Sequence, residues 1–108
     1  MDVMETIRQA IKERKPIIFE YDDGLDGERI GNPHIIFMHK LKSGKVSVYL
    51  HLWQTEGVSK SNVPDWKTHL CDKIKSARII HTAPQFIIAE GYNEESPMYE
   101  IVIEKVLL

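Results

Sequence analysis

The sequence of 108 residues contains a single cysteine, Cys71, so it cannot form an internal disulfide bond. Small secreted domains usually depend on such bonds. The sequence also lacks an apolar run of the roughly 18–20 residues that cross a bilayer. Residues 1–14 are a charged amphipathic stretch without the apolar region of a secretory signal. These absences predict a cytoplasmic protein that has no membrane association.

The motifs of common enzyme and metal sites are absent as well. The sequence has no Gly-rich phosphate loop, no nucleophile elbow and no acid pair within a recognisable motif. Its five histidines form no H-x-H or H-E-x-x-H pattern. His34 and His39 are five residues apart in a predicted strand, so they point to opposite faces and cannot share a zinc ion. We therefore expect a protein that is not an enzyme and that uses no metal and no cofactor.

The net charge of −2 argues against indiscriminate nucleic-acid binding, but the charges are unevenly distributed. Residues 34–81 carry eight basic and three acidic groups together with all five histidines, whereas the two flanking segments are acidic. This excess of basic residues fits two interpretations. It keeps exposed strands and loops soluble, or it forms a face that attracts an anion.

Apolar residues predict one N-terminal helix followed by short strands. A stripe at helical spacing runs along residues 1–15, formed by Val3, Ile7, Ala10 and Ile11. β-branched and aromatic residues predict strands at residues 17–21, 34–39, 46–54, 66–71, 77–81 and 85–89. The polar segment 55–65 is predicted to be a loop.

Residues 46–54 show the clearest two-residue alternation in the chain. One predicted face carries Val46, Val48, Leu50 and Leu52. The opposite face carries Ser47, Tyr49, His51 and Trp53.

The C-terminal tail, residues 91–108, is predicted to be helical. Ser96-Pro97 is typical of a helix start, and apolar residues recur after it at helical spacing. The β-branched run at residues 101–103 also fits a strand. The whole chain is read as one domain, residues 1–108, of mainly β (α+β) class. Residues 16–90 are expected to form a small SH3/Sm-like β-barrel of about five strands, because closure removes exposed sheet edges.

An ordered series of short motifs resembles the WYL domain. The strand at residues 17–21 is followed by Arg29 and Pro33, which match the R-x-x-x-P step of that family. Val48-Tyr49-Leu50 occupies the place of the Trp-Tyr-Leu sequence that names the family, and Asp72-Lys73-Ile74 stands where the family usually has Asp-Arg-Ile.

The resemblance covers roughly residues 4–80. Some positions depart from the usual residues of the family: Val48 replaces a tryptophan, His69 a phenylalanine, and Lys67 and Lys73 two arginines. The resemblance implies a bacterial ligand-sensing module with an Sm-like, SH3-type barrel.

Such domains are often fused to a DNA-binding helix-turn-helix and sense a nucleotide-like or nucleic-acid ligand. The N-terminal helix of this chain is single. We therefore expect the chain to act alone, as a homo-oligomer, or with a separate regulatory protein.

Candidate ligand-binding residues fall into two chemical classes. Stacking surfaces for a base are expected from the aromatic class, Tyr49, His51, Trp53 and Trp66. Neutralisation of phosphate is expected from the cationic class, Arg29, Lys67 and Lys73. The alternative is that the aromatic residues pack in the core and the cations are solvated surface charges.

A second functional hypothesis is an interaction or scaffold domain that acts as a homo-oligomer and has no small ligand. SH3-type barrels carry many functions. Docking of a partner or of a second copy is expected to use the apolar tail residues Met98, Ile101, Val106, Leu107 and Leu108.

Overall fold

The computed structural model describes residues 2–108 and begins with helix α1, Val3–Glu13. Asp2 caps the helix, because its side-chain oxygen accepts a hydrogen bond of 2.8 Å from the backbone N–H of Glu5. Arg14 adopts a left-handed conformation with φ of 53° and ends the helix. The predicted N-terminal helix is confirmed, except that residue 1 lies outside the described residues.

Six antiparallel strands follow: β1 Ile17–Tyr21, β2 Arg29–Lys40, β3 Val46–Gly57, β4 Asp65–Leu70, β5 Ile74–Ile79 and β6 Ile101–Lys105. Their spatial order is β4-β3-β2-β1-β5, and β6 pairs with β2. The mainly β class is confirmed. No helix among residues 2–108 is long and apolar enough to cross a membrane.

Strand β2 carries two partners on one edge. Its first residues, 29–31, pair with β1, whereas residues 35–38 pair with β6. Pro33 lies between these two stretches, where its missing N–H breaks neither ladder. The register with β3 shifts between Pro33 and Ile35, which marks a bulge in the strand. This bend allows one long strand to serve both parts of the sheet.

The C-terminal tail is a strand and not the predicted helix. Residues 101–105 pair with β2, so the β-branched run prevails over the helical spacing of the apolar residues. Ser96 starts a turn instead of a helix: its carbonyl accepts a hydrogen bond of 3.1 Å from the N–H of Tyr99. Tyr99 and Val106, which flank β6, are buried.

The strand predicted at residues 85–89 is also wrong. Residues 80–100, which we call the covering segment, contain no helix or strand. The N–H of Ala89 donates to the imidazole of His34 instead of to a neighbouring strand. The pattern of one sequence cannot show that a side chain, and not the backbone of a neighbouring strand, accepts this hydrogen bond.

The sheet curls strongly, although the expected closed barrel is not formed by strand pairing among residues 2–108. β4 and β5 are the two edges of the five-strand path and do not pair with each other. They are nevertheless joined by a single 3₁₀ turn, Cys71–Lys73. The four steps from Leu70 to Ile74 reach at most about 14 Å, whereas the edges of a flat five-stranded sheet lie about 19 Å apart. The connection therefore requires a curled sheet.

The curl gives the sheet two distinct faces. The inner face packs against α1 and contributes most of the core, including Phe19, Leu50 and Leu52. The outer face carries a smaller cluster of Ile35 and Phe37, which is covered by Tyr99. The predicted alternation of β3 is confirmed, because Leu50 and Leu52 are fully buried on the inner face.

We expect Gly57 to be far less tolerant of substitution than Gly44. Both have positive φ, 99° and 89°. A Cβ at Gly57 would lie 2.6 Å from Cα of Arg29 and would clash with the carbonyl of Glu28, whereas nothing lies within 4 Å of a Cβ at Gly44. G44A should cost about 1–2 kcal/mol of backbone strain, and G57A about 3 kcal/mol or more. Urea unfolding measures both, and equal losses would contradict this assignment.

Candidate functional site

The structure does not bring the seven predicted site residues together in one place. It divides them between the two faces of the sheet. The outer group comprises Tyr49, His51, Trp53 and Trp66. The inner group comprises Arg29, Lys67 and Lys73. Neighbouring residues of β4 point to opposite faces, so Trp66 and Lys67 belong to different sites.

The outer group is part of a continuous aromatic cluster. Trp66 lies at its centre, with ring centroids at 4.6 Å from His51, 4.8 Å from His34 and 5.6 Å from Trp53. Tyr92 of the covering segment approaches the same ring at 6.3 Å. The rings therefore already contact one another.

Hydrogen bonds attach the covering segment to this cluster. The hydroxyl of Tyr99 lies 2.7 Å from Nδ1 of His51. Nε1 of Trp66 donates to the carbonyl of Glu90 at 3.2 Å. These contacts favour the packing interpretation of the outer group, and its role as a stacking surface stays a prediction.

His34 was not identified as a site residue, but it organises the outer cluster. Its Nε2 accepts a hydrogen bond of 3.0 Å from the N–H of Ala89, so its proton must reside on Nδ1. Nδ1 lies 2.7 Å from the carbonyl of Asn32 and donates to it. Burial lowers the pKa of His34 to about 4, which keeps the ring neutral. In the sequence, only its position directly after Pro33 distinguishes His34.

On the inner face, Arg29 is buried and not a solvated surface charge. Its residue exposure is 2%. Nη2 donates to Oδ1 of Asp23 at 2.7 Å and to the carbonyl of Leu25 at 3.2 Å. The hydrogen bond from Arg29 lowers the pKa of Asp23 below its usual value. The guanidinium therefore holds the loop between β1 and β2 in place.

Two of the cations lie against the ring of Tyr21. Cζ of Arg29 lies 5.4 Å from the ring centre, and Nζ of Lys73 lies at 5.6 Å. His69, on the inner face of β4, packs on the same ring at 4.2 Å. Burial, assisted by the charge of Arg29, lowers the pKa of His69 to about 4. Its ring is neutral at physiological pH.

Two further lysines belong to this region. Nζ of Lys60 donates to the carbonyl of Asp23. Nζ of Lys67 donates to Oγ of Ser61 and to the carbonyl of Asn62. We call the four cations Arg29, Lys60, Lys67 and Lys73, together with the neutral ring of His69, the cation cluster.

Within residues 2–108, Asp23 is the only carboxylate that forms an ion pair with the cation cluster. Among the described residues, no carboxylate lies within ion-pair distance of Lys60, Lys67 or Lys73. Lys60 and His69 were not predicted as ligand-binding residues. The two-residue alternation of β4 is the signal that places His69 beside Lys67.

No group of three or more His, Cys, Asp or Glu side chains is placed to hold a metal ion in the part of the chain that the structure describes. Cys71 is buried, and desolvation raises the pKa of its thiol to about 12. The thiol is therefore protonated and unreactive as a nucleophile.

Comparisons with protein-family models, with curated proteins and with solved structures give no match for this chain.

We expect the free energy of unfolding to fall as the pH decreases from 6.5 towards 4. His34 and His69 have folded-state pKa values of about 4, against an ordinary value of 6.5. Between these pH values, both histidines bind a proton in the unfolded chain but stay neutral in the folded chain. Each histidine contributes a slope of up to about 1.4 kcal/mol per pH unit.

Urea unfolding between pH 7 and pH 4.5 measures this slope. H34Q keeps a neutral acceptor for Ala89. Because one titrating group is lost, the slope should fall by up to about 1.4 kcal/mol per pH unit. The same slope in H34Q and in the natural sequence would contradict the assignment.

Proposed function

We propose that this chain is a non-catalytic ligand-sensing module of the WYL type that binds a nucleotide-like or nucleic-acid ligand through the cation cluster. The observation that carries this proposal is the placement of Lys60, Lys67 and Lys73, without ion pairs, around the buried Arg29. Cations held near one another without carboxylate partners provide the contacts that phosphate groups require.

The present contacts of the lysines also favour an anionic ligand. Lys60 and Lys67 donate to neutral carbonyl and hydroxyl oxygens. A phosphate oxygen is a stronger acceptor for an ammonium group. Replacing these contacts with an anion is therefore expected to be favourable in free energy, because neither lysine has to break an ion pair. Asp72 precedes Lys73 in the chain, and the backbone N–H of Asp22 donates to the carbonyl of Lys73, so two acidic residues reduce the net charge around this lysine.

The Sm-like, SH3-type barrel is proposed as the finer description of the fold. Two features support it: the helix precedes five antiparallel strands, and the edges β4 and β5 are joined by a turn of three residues. The inner face of the curled sheet would then be the barrel interior, with the cation cluster at one end.

A cytoplasmic location and a regulatory role belong to the same proposal. The buried, reduced thiol of Cys71 is compatible with a reducing compartment. Sensing requires an output, and we propose a second copy of the chain or a separate regulatory protein as the recipient.

We expect K67Q/K73Q to weaken binding of a single-stranded oligonucleotide by about tenfold or more at low salt, because two phosphate contacts are lost. The slope of log K against log salt should become shallower by about 1.4. Fluorescence anisotropy at several salt concentrations measures both quantities.

The matched control is K42Q/K45Q, which removes the same charge from exposed positions in the β2–β3 hairpin. This variant should bind nearly as tightly as the natural sequence. An equal loss of affinity in the two variants would show that binding depends on net charge and not on Lys67 and Lys73. An absence of binding by the natural sequence at low salt would overturn the proposal.

A second candidate function is homo-oligomerisation through the tail. Among the described strands, β6 pairs only with β2, and it exposes Ile101 (56%) and Val102 (41%). Deleting the tail is not a clean test, because β6 belongs to the sheet and Val106 is fully buried. Point substitutions on the exposed surface are needed instead.

Under this second candidate, the natural chain self-associates and I101T/V102T is monomeric, since threonine keeps β propensity while removing apolar surface. Size-exclusion chromatography with light scattering measures the mass. I87T is the control, because Ile87 is 88% exposed but lies on the covering segment. A monomeric natural chain would exclude this function.

A further inference from the structure

Two buried polar atoms of the cation cluster have no hydrogen-bond partner within residues 2–108: Nε of Arg29 and Nε2 of His69. The two residues are only 2% and 6% exposed. Both pack on the ring of Tyr21, at 5.4 Å and 4.2 Å. Buried polar groups in folded proteins are normally paired, so two unpaired groups against one ring indicate a place where a ligand atom belongs.

The chemistry of the two atoms restricts that ligand. Nε of Arg29 is a donor only. Nε2 of His69 is a donor in one of the two neutral tautomers of the ring. An oxygen acceptor suits both atoms. Lys73 adds a third donor beside the same ring, since its ammonium lies 5.6 Å from the ring centre.

We propose that the cation cluster takes a terminal phosphate, a phosphomonoester at the end of a nucleotide or oligonucleotide, with its oxygens on Nε of Arg29 and Nε2 of His69. This inference rests on the proposed function and specifies its ligand. An internal phosphodiester carries a sugar on both sides, so it cannot bring its oxygens to atoms this deeply buried. A chain end presents three free oxygens and only one substituent.

The charges around the site agree with a dianion. Arg29 is neutralised by Asp23, whereas Lys60, Lys67 and Lys73 form no ion pair. A phosphomonoester carries nearly two negative charges at neutral pH, and an internal phosphodiester carries one. The group with more charge and more acceptor oxygens gains more from three lysines and two buried nitrogens.

Entry to the site involves the loop between β3 and β4. Lys60 and Lys67 hold residues of this loop and of the β1–β2 loop by hydrogen bonds to neutral oxygens. A phosphate that takes over these ammonium groups releases the loop contacts as it binds. Ligand entry and loop displacement are therefore the same event.

The test uses four oligonucleotides of one short sequence. Two carry the label at the 3′ end and either a phosphate or a hydroxyl at the 5′ end. The other two carry the label at the 5′ end and either a phosphate or a hydroxyl at the 3′ end. Anisotropy is recorded with the natural chain at fixed ionic strength. We expect a preference of about tenfold or more for the phosphate at one of the two ends, as a charge-assisted contact provides. This comparison needs no variant to fold.

The outcomes distinguish the inference from the proposed function. Equal, salt-sensitive binding of all four oligonucleotides leaves the proposed function intact and overturns the terminal-phosphate assignment. No binding of any of them overturns both. A preference for the phosphorylated oligonucleotide that persists in excess adenosine monophosphate would also contradict a terminal-phosphate site, since the mononucleotide should compete for it.

The variant H69F tests whether the phosphate binds at His69. Phenylalanine keeps a ring beside Tyr21 and Phe19 but removes Nε2. The phosphate preference should fall towards onefold, while affinity for the hydroxyl oligonucleotide stays within about twofold. The imidazole signals of His69 in the natural chain give a second measurement, because they should shift on addition of the phosphorylated oligonucleotide alone. Absence of both effects would overturn the role of His69.

Discussion

The turn of three residues between β4 and β5 constrains the rest of the molecule. These strands form opposite edges of one five-strand path, so Cys71–Lys73 can join them only if the sheet curls. Curling creates an enclosed inner face, which α1 covers, and an outer face that needs another cover. Residues 80–100 supply it through ring contacts and through the hydrogen bond from Ala89 to His34. The same turn places Lys73 over Tyr21, so this member of the cation cluster depends on the sheet edges being held close together.

Features that depend on local sequence were predictable, whereas those that depend on distant partners were not. The helical stripe of α1, the strand Ile17–Tyr21 and the two faces of β3 were each expected, because burial on one side leaves a short periodic signal. The tail carries two competing signals, and pairing with β2 decides between them. Residues 85–89 have the composition of a strand, but β2 already has partners along this edge in β1 and β6. Local propensity contains no information about which edges are occupied.

The candidate site shows the same division. Alternation along β3 grouped Tyr49, His51 and Trp53 without any knowledge of the fold, and the structure keeps them on one face. It could not show that Arg29 would turn inward to Asp23, because that ion pair depends on the loop that returns between β1 and β2. An arginine two residues before a glycine in a strand has the same sequence signature whether it is buried or exposed. The unpaired nitrogens of Arg29 and His69 become recognisable only when β4 faces β1 across the interior.

β4 is the element through which the two faces are connected. Lys67 belongs to the cation cluster, and the next residue towards the N-terminus, Trp66, is the centre of the outer aromatic cluster and holds the carbonyl of Glu90. A ligand can shift an equilibrium only by its differential affinity for two arrangements. Under the proposed function, an anion that draws Lys67 from Ser61 and Asn62 would have such a differential affinity, because it would favour the arrangement in which the β3–β4 loop is released. Trp66 is the neighbour of Lys67 in the same strand and donates to the carbonyl of Glu90, so the covering segment is the outer surface that contacts the strand of the cation cluster.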